Sequence, residues 1–338
     1  REAAGRSQMF LDWDADGFRR QFSEGLVAML QRDSPGAWIL VLANSMQDPQ
    51  LRAALRGPIQ EAYGRLEGIV AEGSEDDIAV LNRIREGAPH HLFRHWHSAS
   101  RDAWRLVTNP MRQLRPMRLS RDPLKSLYRD FDPHAFNFSR PHLEPEIFRE
   151  GDWQESSWRV LYNKFPFAPW HLLVVPDVHA GLPQYLTEDN HRQVMGLVGW
   201  LSERLPGVIM AYNSLGAGAS VNHLHFQFAV MEETLPVEQR CWQHHGGNEP
   251  YPLDCILSND PEIAWKAIEE RQRSGRPFNL IYRGEDCYLL KRKSQAEVED
   301  CMLPQGVTWY ESAGVFVFPD QPGTSLCLTT SLGRYRCS

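Results

Sequence analysis

Two histidines and a glutamine alternate near the middle of the sequence. The stretch YNSLGAGASVNHLHFQF, residues 212–228, places His223, His225 and Gln227 at a spacing of two, with apolar residues between them. Alternate residues of a β-strand lie on the same face, so the pattern predicts a strand with one polar and one apolar face. Burying three polar side chains is costly unless polar groups meet them, so polar partners or a polar ligand are expected against that face.

Three interpretations of the histidine pair are open. The histidines can be buried structural residues, or metal ligands, since His-x-His on a strand is a known ligand spacing. The next residue on the same face is Gln227, which is a poor transition-metal ligand, so no metal site is predicted. The third interpretation is a phosphate site, because Gly216 and Gly218 lie in a small-residue loop between Asn213 and Ser220 whose backbone N–H groups can hold an anion.

Composition excludes several classes of protein. The formal charge of −7 and the pI near 6.0 give no reason to expect a nucleic-acid partner. No apolar run approaches the ~18 residues of a membrane helix, and the start REAAGRSQMF lacks the apolar core of a signal peptide. The six cysteines are scattered without a Cys-x-x-Cys pair, which favours reduced thiols over a disulfide framework or a thiolate zinc site. A cytoplasmic protein is therefore predicted.

The chain divides into three regions that differ in the secondary structure their sequence patterns predict. Residues 1–126 are predicted to be mostly helical, with apolar residues recurring every three or four positions in 14–33 and 49–73. Residues 127–240 are predicted to form the core, and residues 241–338 a smaller second lobe. The overall prediction is an α+β fold.

The core is predicted to contain two apolar stretches joined by a turn, a helix and two further strands. Residues 158–177 form the expected hairpin, and residues 187–207 the expected helix, with Thr187 as N-cap and Gly207 as its end. Residues 207–214 and 222–230 are predicted strands. In the second lobe, residues 276–293 predict another hairpin and residues 309–320 another strand.

Several motifs in the same order resemble a known family. The central stretch is similar to the active-site signature of the histidine-triad superfamily, and within it to the GDP-L-galactose and GDP-D-glucose phosphorylases. Further agreement lies in FDPHAFNFSR, HLEPEIF, the run from Asn163 to Pro176, GLPQ, LPVE and PFNLIYRGEDCYLL. The resemblance covers about residues 127–320. The short motifs NKF and GAS resemble instead the diadenosine tetraphosphate phosphorylases of the same branch.

The resemblance implies a histidine-triad-like antiparallel sheet core and a degenerate second lobe. It also implies an enzyme that transfers a nucleotidyl group through a covalent intermediate on His225. The expected reaction is phosphorolysis of a GDP-hexose to GDP and hexose 1-phosphate, without a cofactor. The alternatives are a dinucleoside polyphosphate phosphorylase, a hexose-1-phosphate nucleotidyltransferase or a non-catalytic nucleotide-binding protein. The partners are then a nucleotide sugar and inorganic phosphate, with no nucleic acid or membrane, and a homodimer is expected.

Site residues follow from the motif positions. His225 is predicted to be the nucleophile, with His223 orienting the loop or the phosphate. Gln227 is predicted to donate hydrogen bonds to phosphoryl oxygens, because an amide donates without losing a proton. The predicted substrate-binding residues are Asn163, Lys164, His171, Asn213, Ser214, Gly216 and Ser220.

Two other polar stretches receive a simpler interpretation. His91 and His95 lie one helical turn apart in PHHLFRHWH, and a surface cluster is predicted rather than a metal site. The basic stretch from Arg101 to Arg129 is predicted to be a solvated face.

Overall fold

The computed structural model describes residues 13–67, 74–86, 95–115, 124–298, 303, 306–323 and 326–337. These residues form helices and two β-sheets in which antiparallel pairing predominates, so the predicted α+β class with an antiparallel sheet core is confirmed. Within these ranges, no helix combines the length and apolar character needed to cross a membrane. His91 lies outside the described residues, so its predicted pairing with His95 stays a prediction.

The helices lie mainly before and between the strands. Their bounds are α1 (Ala15–Met29), α2 (Pro35–Ser45), α3 (Pro49–Glu67), α4 (Glu75–Arg85), α5 (Glu188–Ser202), α6 (Pro261–Arg273), α7 (Trp309–Ser312) and α8 (Leu328–Gly333). The two helices predicted in the N-terminal region are confirmed as α1 and α3. Every residue of α2 is buried, which explains why its sequence is apolar on all sides.

Helix α5 begins as the sequence predicted. The Thr187 hydroxyl accepts a hydrogen bond from the Asn190 N–H at 3.2 Å, and the Asn190 side chain accepts one from the Thr187 N–H in return. The helix ends at Ser202 rather than at Gly207. Gly207 has a φ of +82°, and a Cβ there would lie 2.6 Å from the Met231 carbonyl, so the turn into the next strand needs a glycine.

Eight strands form the main sheet. Its strands are β3 (Ile147–Trp153), β4 (Ser156–Tyr162), β5 (Leu172–Pro176), β6 (Val208–Asn213), β7 (Phe226–Val230), β8 (Asp254–Ser258), β9 (Phe278–Arg283) and β10 (Asp286–Lys291). Their order across the sheet is β3-β4-β5-β7-β6-β9-β10-β8, and every neighbouring pair is antiparallel. Both predicted hairpins are confirmed, as β4–β5 and β9–β10.

A three-stranded sheet packs beside the main one. It contains β1 (His97–Arg101), β2 (Trp104–Thr108) and β11 (Val315–Phe318), with β11 parallel to β2. A chain segment before residue 126 therefore pairs with one after residue 300. The main sheet likewise continues across residue 240. The three predicted regions and their boundaries stay a prediction.

The two faces of the main sheet are covered differently. On one face, apolar side chains of β4, β5, β6 and β7 pack against α1–α6 in the largest core cluster. On the other face, the end of the sheet formed by β6, β9 and β10 is covered by the three-stranded sheet, α7 and α8. A small cluster around Phe138, Leu143 and Leu161 covers β4 and β5 on that same face. A cavity opens against Leu161, Leu173 and Gln227 of this face.

Candidate active site

The histidine motif lies just before a strand rather than within one. The prediction of a strand from residue 222 is wrong, because β7 begins at Phe226, so His223 and His225 belong to the preceding loop. The alternation still holds: Leu224, Phe226 and Phe228 enter the main core, while Gln227 is on the opposite face. The histidines are therefore fixed by side-chain and backbone hydrogen bonds rather than by strand pairing.

Gln184 holds the backbone of the motif. Its amide oxygen accepts a hydrogen bond from the His225 N–H at 2.9 Å. Its amide nitrogen donates to the carbonyls of Asn213, at 2.9 Å, and His225, at 3.2 Å. The end of β6 and the start of β7 are thus tied together by one buried side chain. Gln184 lies in the GLPQ motif, but nothing in that motif indicates this role.

The imidazole of His225 has one nitrogen fixed and one available. Nδ1 lies 2.8 Å from the His223 carbonyl oxygen, and because a carbonyl only accepts, Nδ1 carries the proton. Nε2 therefore holds the lone pair. It has no hydrogen-bond partner among the described residues, and His225 lines the cavity. Burial lowers the pKa of His225 from 6.5 to about 4, opposed by the hydrogen bond to the His223 carbonyl, so the ring is neutral at pH 7.

His223 is turned away from the cavity. Its Nδ1 accepts a hydrogen bond from the Phe138 N–H at 3.0 Å, and its ring stacks on Phe138 and meets Phe131 edge-on. Burial is the main cause that lowers the pKa of His223 to about 4, with the neighbouring His225 acting in the same direction. The ring of Phe138 in turn lies 5.0 Å from that of His225. His223 therefore holds the wall of the site and does not line the cavity.

Gln227 faces the cavity with its amide oriented. Its oxygen accepts a hydrogen bond from the indole N–H of Trp309 at 2.8 Å. The Gln227 side chain also interacts with His171, and with its oxygen held by Trp309 the NH₂ group is the part of the amide left for the cavity, which Gln227 lines. Trp309 was not identified from the sequence, and no motif there pointed to it.

Arg112 brings a positive charge to the same cavity. It lies in a 3₁₀ helix over Pro110–Leu114 and is only 2% exposed, so the predicted solvated face is wrong at this position. Its Nη1 donates to the Phe165 carbonyl at 2.9 Å, its guanidinium lies over the Phe167 ring, and its buried Nε has no hydrogen-bond partner. Burial lowers the pKa of Arg112 to about 9, with Arg115 acting in the same direction, so the group stays charged at pH 7. Arg115 also lines the cavity.

Lys164 lies in a different environment on the same cavity. Its Nζ is 3.2 Å from a carboxylate oxygen of Asp77 and 3.0 Å from one of Glu146. Burial lowers the pKa of Lys164, but the two carboxylates outweigh this and the pKa is raised overall. Burial raises the pKa of Glu146, against the effect of Lys164. A Cβ on Gly36 would lie 2.6 Å from Asp77, so the triad packs directly on the start of α2.

The other predicted binding residues divide into two groups. Asn163 and Ser220 line the cavity, together with Gly218. The remaining four do not line the cavity: His171, Asn213, Ser214 and Gly216.

The four residues off the cavity have structural partners. Asn213 accepts hydrogen bonds from Asn279, at 2.7 Å, and from the Trp309 N–H, at 2.9 Å. Ser214 accepts one from the Phe278 N–H at 2.9 Å. His171 is fully buried, and burial, followed by the charge of Arg112, lowers its pKa to about 3.

The glycine loop itself is packed against the C-terminal part of the chain. Gly218 has a φ of +105°, which favours glycine, and a Cβ there would lie 3.1 Å from the Thr308 methyl group. Thr308, like Gly218, lines the cavity. The loop therefore approaches the site closely only because residue 218 has no side chain.

The cavity has a volume of about 680 Å³, within the range that holds a ligand of nucleotide-sugar size. It is bounded by an apolar wall, the His225 region and the Lys164 triad, with Phe136, Phe138, Leu143, Leu161, Leu173 and Val221 forming the apolar wall. Phe136 is 43% exposed, unusual for so large an apolar side chain, and its ring contacts those of Phe138 and His142. Searching the described residues for three or more His, Cys, Asp or Glu side chains arranged to hold a metal finds none.

Comparison with known proteins places this site in a recognisable segment. Residues 105–229 match the family described as GDPGP1-like, N-terminal domain. That segment contains Arg112, Lys164, Gln184, His225 and Gln227. The predicted resemblance to the GDP-hexose phosphorylases is thereby confirmed over this part of the chain.

The relatives found by sequence each match about a third of the chain. It is 36% identical over 122 residues to GDP-D-glucose phosphorylase 1 of Bos taurus, covering 34% of this chain and 31% of the bovine protein. It is 30% identical over 125 residues to GDP-L-galactose phosphorylase 1 of Arabidopsis thaliana, covering 32% and 28%. The chain thus matches about a third of the length of these relatives. Among solved structures, yeast Ap4A phosphorylase Apa2 in complex with Ap4A aligns at a TM-score of 0.46 and 16% identity, covering 74% of this chain and 90% of the yeast protein.

Proposed function

We propose that this protein is a nucleotidyl-transferring phosphorylase that cleaves a GDP-hexose with inorganic phosphate through a covalent intermediate on His225. The observation that carries the proposal is the state of the His225 ring. Its Nδ1 proton is held by the His223 carbonyl, and its neutral Nε2 is available in a cavity that a buried cation, Arg112, and an amide, Gln227, also line. The similarity of residues 105–229 to GDP-D-glucose and GDP-L-galactose phosphorylases supports the substrate class.

In the first step, Nε2 of His225 attacks the α-phosphorus of the nucleotide sugar. The bond from the α-phosphorus to the bridging oxygen breaks, and hexose 1-phosphate leaves with the bonding electrons. The second pKa of a phosphate monoester is about 6, so this leaving group needs no general acid at pH 7. The ring becomes positively charged as it bonds to phosphorus, and the His223 carbonyl at Nδ1 stabilises that charge.

In the second step, inorganic phosphate attacks the same phosphorus from the side that the hexose 1-phosphate has left. The Nε2–phosphorus bond breaks, GDP forms and His225 returns to its neutral state. Arg112 and the NH₂ group of Gln227 stabilise the phosphoryl charge in both steps, because both are donors that cannot act as bases at pH 7. Neither group supplies a base that would activate water, which favours phosphate as the acceptor.

The apolar wall is suited to the nucleoside. Phe136 and Phe138 offer aromatic faces on which a purine can stack, and Leu161, Leu173 and Val221 complete an apolar surface beside His225. The cytoplasmic location, the homodimer and the absence of a nucleic-acid partner stay predictions from the sequence.

The proposal is tested by following labelled phosphate. The purified protein is incubated with GDP-glucose, GDP-L-galactose, other nucleoside-diphosphate hexoses or Ap4A, with and without millimolar labelled phosphate. We expect label in the β-phosphate of GDP together with free hexose 1-phosphate. His225→Ala is the control, and retention of more than about a hundredth of the wild-type rate would contradict the nucleophile assignment.

Each alternative gives a different result in the same experiment. GMP as the main product, at a rate independent of phosphate, identifies a hydrolase. Turnover only after addition of a second hexose 1-phosphate identifies a nucleotidyltransferase. Phosphorolysis of Ap4A alone identifies a dinucleoside polyphosphate phosphorylase, and binding without any product identifies a nucleotide-binding protein.

A further inference from the structure

The side chain that orients Gln227 comes from outside the segment that matches the phosphorylase family. Trp309 is the first residue of α7, 80 residues beyond the end of the match at residue 229. Its indole N–H donates to the Gln227 amide oxygen at 2.8 Å, and its backbone N–H donates to the Asn213 side chain at 2.9 Å. One residue therefore contacts both ends of the loop that carries the histidine motif.

The orientation of this amide matters for an anionic ligand. A glutamine amide presents either an acceptor oxygen or a donor NH₂ group, and only the NH₂ group attracts phosphoryl oxygens. An indole N–H is a donor only, so it accepts no contact from the NH₂ group and selects the oxygen. Trp309 thereby leaves the NH₂ group for the cavity in the free protein, before any ligand arrives.

Trp309 is held firmly in this position. It is fully buried, and its ring packs against Phe167 and Tyr310. The turn that precedes it is closed by Glu311, whose carboxylate accepts hydrogen bonds from the Thr308 N–H, at 2.8 Å, and from the Thr308 hydroxyl, at 2.7 Å. Because the indole is held in place, it cannot move with the Gln227 amide. The hydrogen bond therefore favours one orientation of the amide.

We propose that Trp309 is a positioning residue of the active site, which fixes the Gln227 amide with its NH₂ group toward the phosphoryl group. This inference rests on the proposed function, because it assigns Gln227 a phosphoryl contact. It adds that residues 308–311 complete the site and that the segment matching the family does not contain all of its determinants.

The test compares two tryptophan variants. Trp309→Phe removes the N–H and keeps an aromatic ring. Trp242→Phe is the matched control, because Trp242 is buried in the same core cluster and donates its indole N–H to the Pro236 carbonyl at 2.7 Å, away from the cavity. Each variant loses one buried hydrogen bond, and we expect each melting temperature to fall by a few degrees, about 2 °C or more.

Only Trp309→Phe is expected to slow turnover. Its kcat should fall about fivefold to tenfold, which corresponds to the free energy of one hydrogen bond, while KM changes less than twofold. Trp242→Phe should keep wild-type kcat. Equal kcat in the two variants, with the wild type active, overturns the proposal. An inactive wild type instead overturns the proposed function, so the two failures are distinguishable.

A double-mutant cycle separates orientation from packing. In a Gln227→Met background there is no amide to orient, so Trp309→Phe should reduce kcat by less than twofold further. A reduction as large as in the Gln227 background shows that Trp309 acts through packing and overturns the proposal.

If Trp309→Phe does not fold, the contact is tested by NMR of the indole N–H signals of the 11 tryptophans. Gln227→Met should shift one of these signals strongly and speed its exchange with water, while the others stay in place. If none responds, the indole does not contact the amide and the proposal is wrong.

Discussion

The two cationic side chains of the cavity differ in what surrounds them. Arg112 is buried and makes no salt bridge within 4 Å among the described residues, although the charge of buried Glu311 raises its pKa from farther away, and its Nε has no hydrogen bond. Lys164 lies between the carboxylates of Asp77 and Glu146, both within 3.2 Å. An unpaired buried cation is costly, whereas a paired one is compensated. The difference indicates that Arg112 is available to bind an anionic group of a ligand. Lys164, which has two carboxylates beside it, is not.

The environment of Lys164 refines the prediction that this residue binds the substrate. Two carboxylates beside one ammonium group leave a local charge of −1 when all three are ionised, which repels a phosphate. Carboxylates do accept hydrogen bonds from N–H and O–H groups. The triad is therefore better suited to the edge of a base or to sugar hydroxyls, and Arg112 to the phosphoryl groups.

The largest effect is expected at Arg112. Arg112→Met should lower kcat/KM for the GDP-hexose by about a hundredfold, because it removes a preorganised charge from the phosphoryl site. The melting temperature should change by no more than a few degrees, because the variant removes the desolvation cost of a buried charge but also its hydrogen bond to the Phe165 carbonyl and its attraction to Glu311.

Arg271→Met is the control for this prediction. Arg271 is also buried, but it donates to the carbonyls of Pro277 and Arg292 and does not line the cavity. Its replacement should lower stability and leave kcat/KM within about twofold, as expected for a structural residue. Arg112→Met with wild-type kcat/KM would show that the unpaired guanidinium does not contact the ligand.

The opposite outcome is expected at Lys164. Lys164→Met leaves two partly buried carboxylates side by side, and the free energy of unfolding should fall by about 2–3 kcal/mol. The kcat should change less than fivefold, because the phosphoryl groups do not depend on this charge. Denaturant unfolding and steady-state kinetics measure the two effects.

The compensating variant sharpens this second prediction. Lys164→Met combined with Glu146→Gln removes one of the two opposing charges, and most of the lost stability should return. If Lys164→Met instead lowers kcat as much as Arg112→Met does, the charge of Lys164 acts on the phosphoryl groups as that of Arg112 does.

The sequence predicted the parts of the molecule that depend on local patterns. The hairpins β4–β5 and β9–β10 and the capping of α5 by Thr187 follow from alternation and short-range chemistry. The start of β7 was misplaced because an extended loop carries the same alternation as a strand. His225 and Gln227 were found because they lie in one short motif.

Arg112, Gln184 and Trp309 could not be assigned in this way. They reach the site from residues 41 to 113 positions away in the chain, by hydrogen bonds or by a shared cavity wall. Nothing in the sequence around Arg112 distinguishes a buried arginine from the solvated ones nearby. Such contacts depend on tertiary packing, which a single sequence does not display.

The smallest effect is expected from pH, and it again contrasts the two sides of the cavity. Burial lowers the pKa of His225 to about 4, whereas burial raises the pKa of Glu146. Lowering the pH from 7 to 5 should therefore leave the His225 ring neutral and the rate of hexose 1-phosphate release in a single turnover without phosphate within about twofold, whereas Glu146 takes up its proton at a higher pH than an ordinary glutamate and affects KM. A single-turnover rate that falls with an apparent pKa near 6.5 would show that the nucleophile is not the buried ring, because the acceptor phosphate, which titrates in the same range, takes no part in this step.

Stability should follow pH differently from kcat. His191, His223 and His225 have folded-state pKa values of about 4, and His171 of about 3, below the unfolded value of about 6.5. In this window the unfolded state binds more protons, so stability is lost as the pH falls from about 6.5 toward 4. His191 does not line the cavity, and its ring nitrogens lie 2.9 Å from the Tyr282 hydroxyl and 3.2 Å from the Pro261 carbonyl oxygen. His191→Gln should therefore reduce the pH dependence of the melting temperature and leave the pH profile of kcat unchanged. A shifted pH profile of kcat would mean that acid unfolding, and not the chemistry of the ligand, determines that profile.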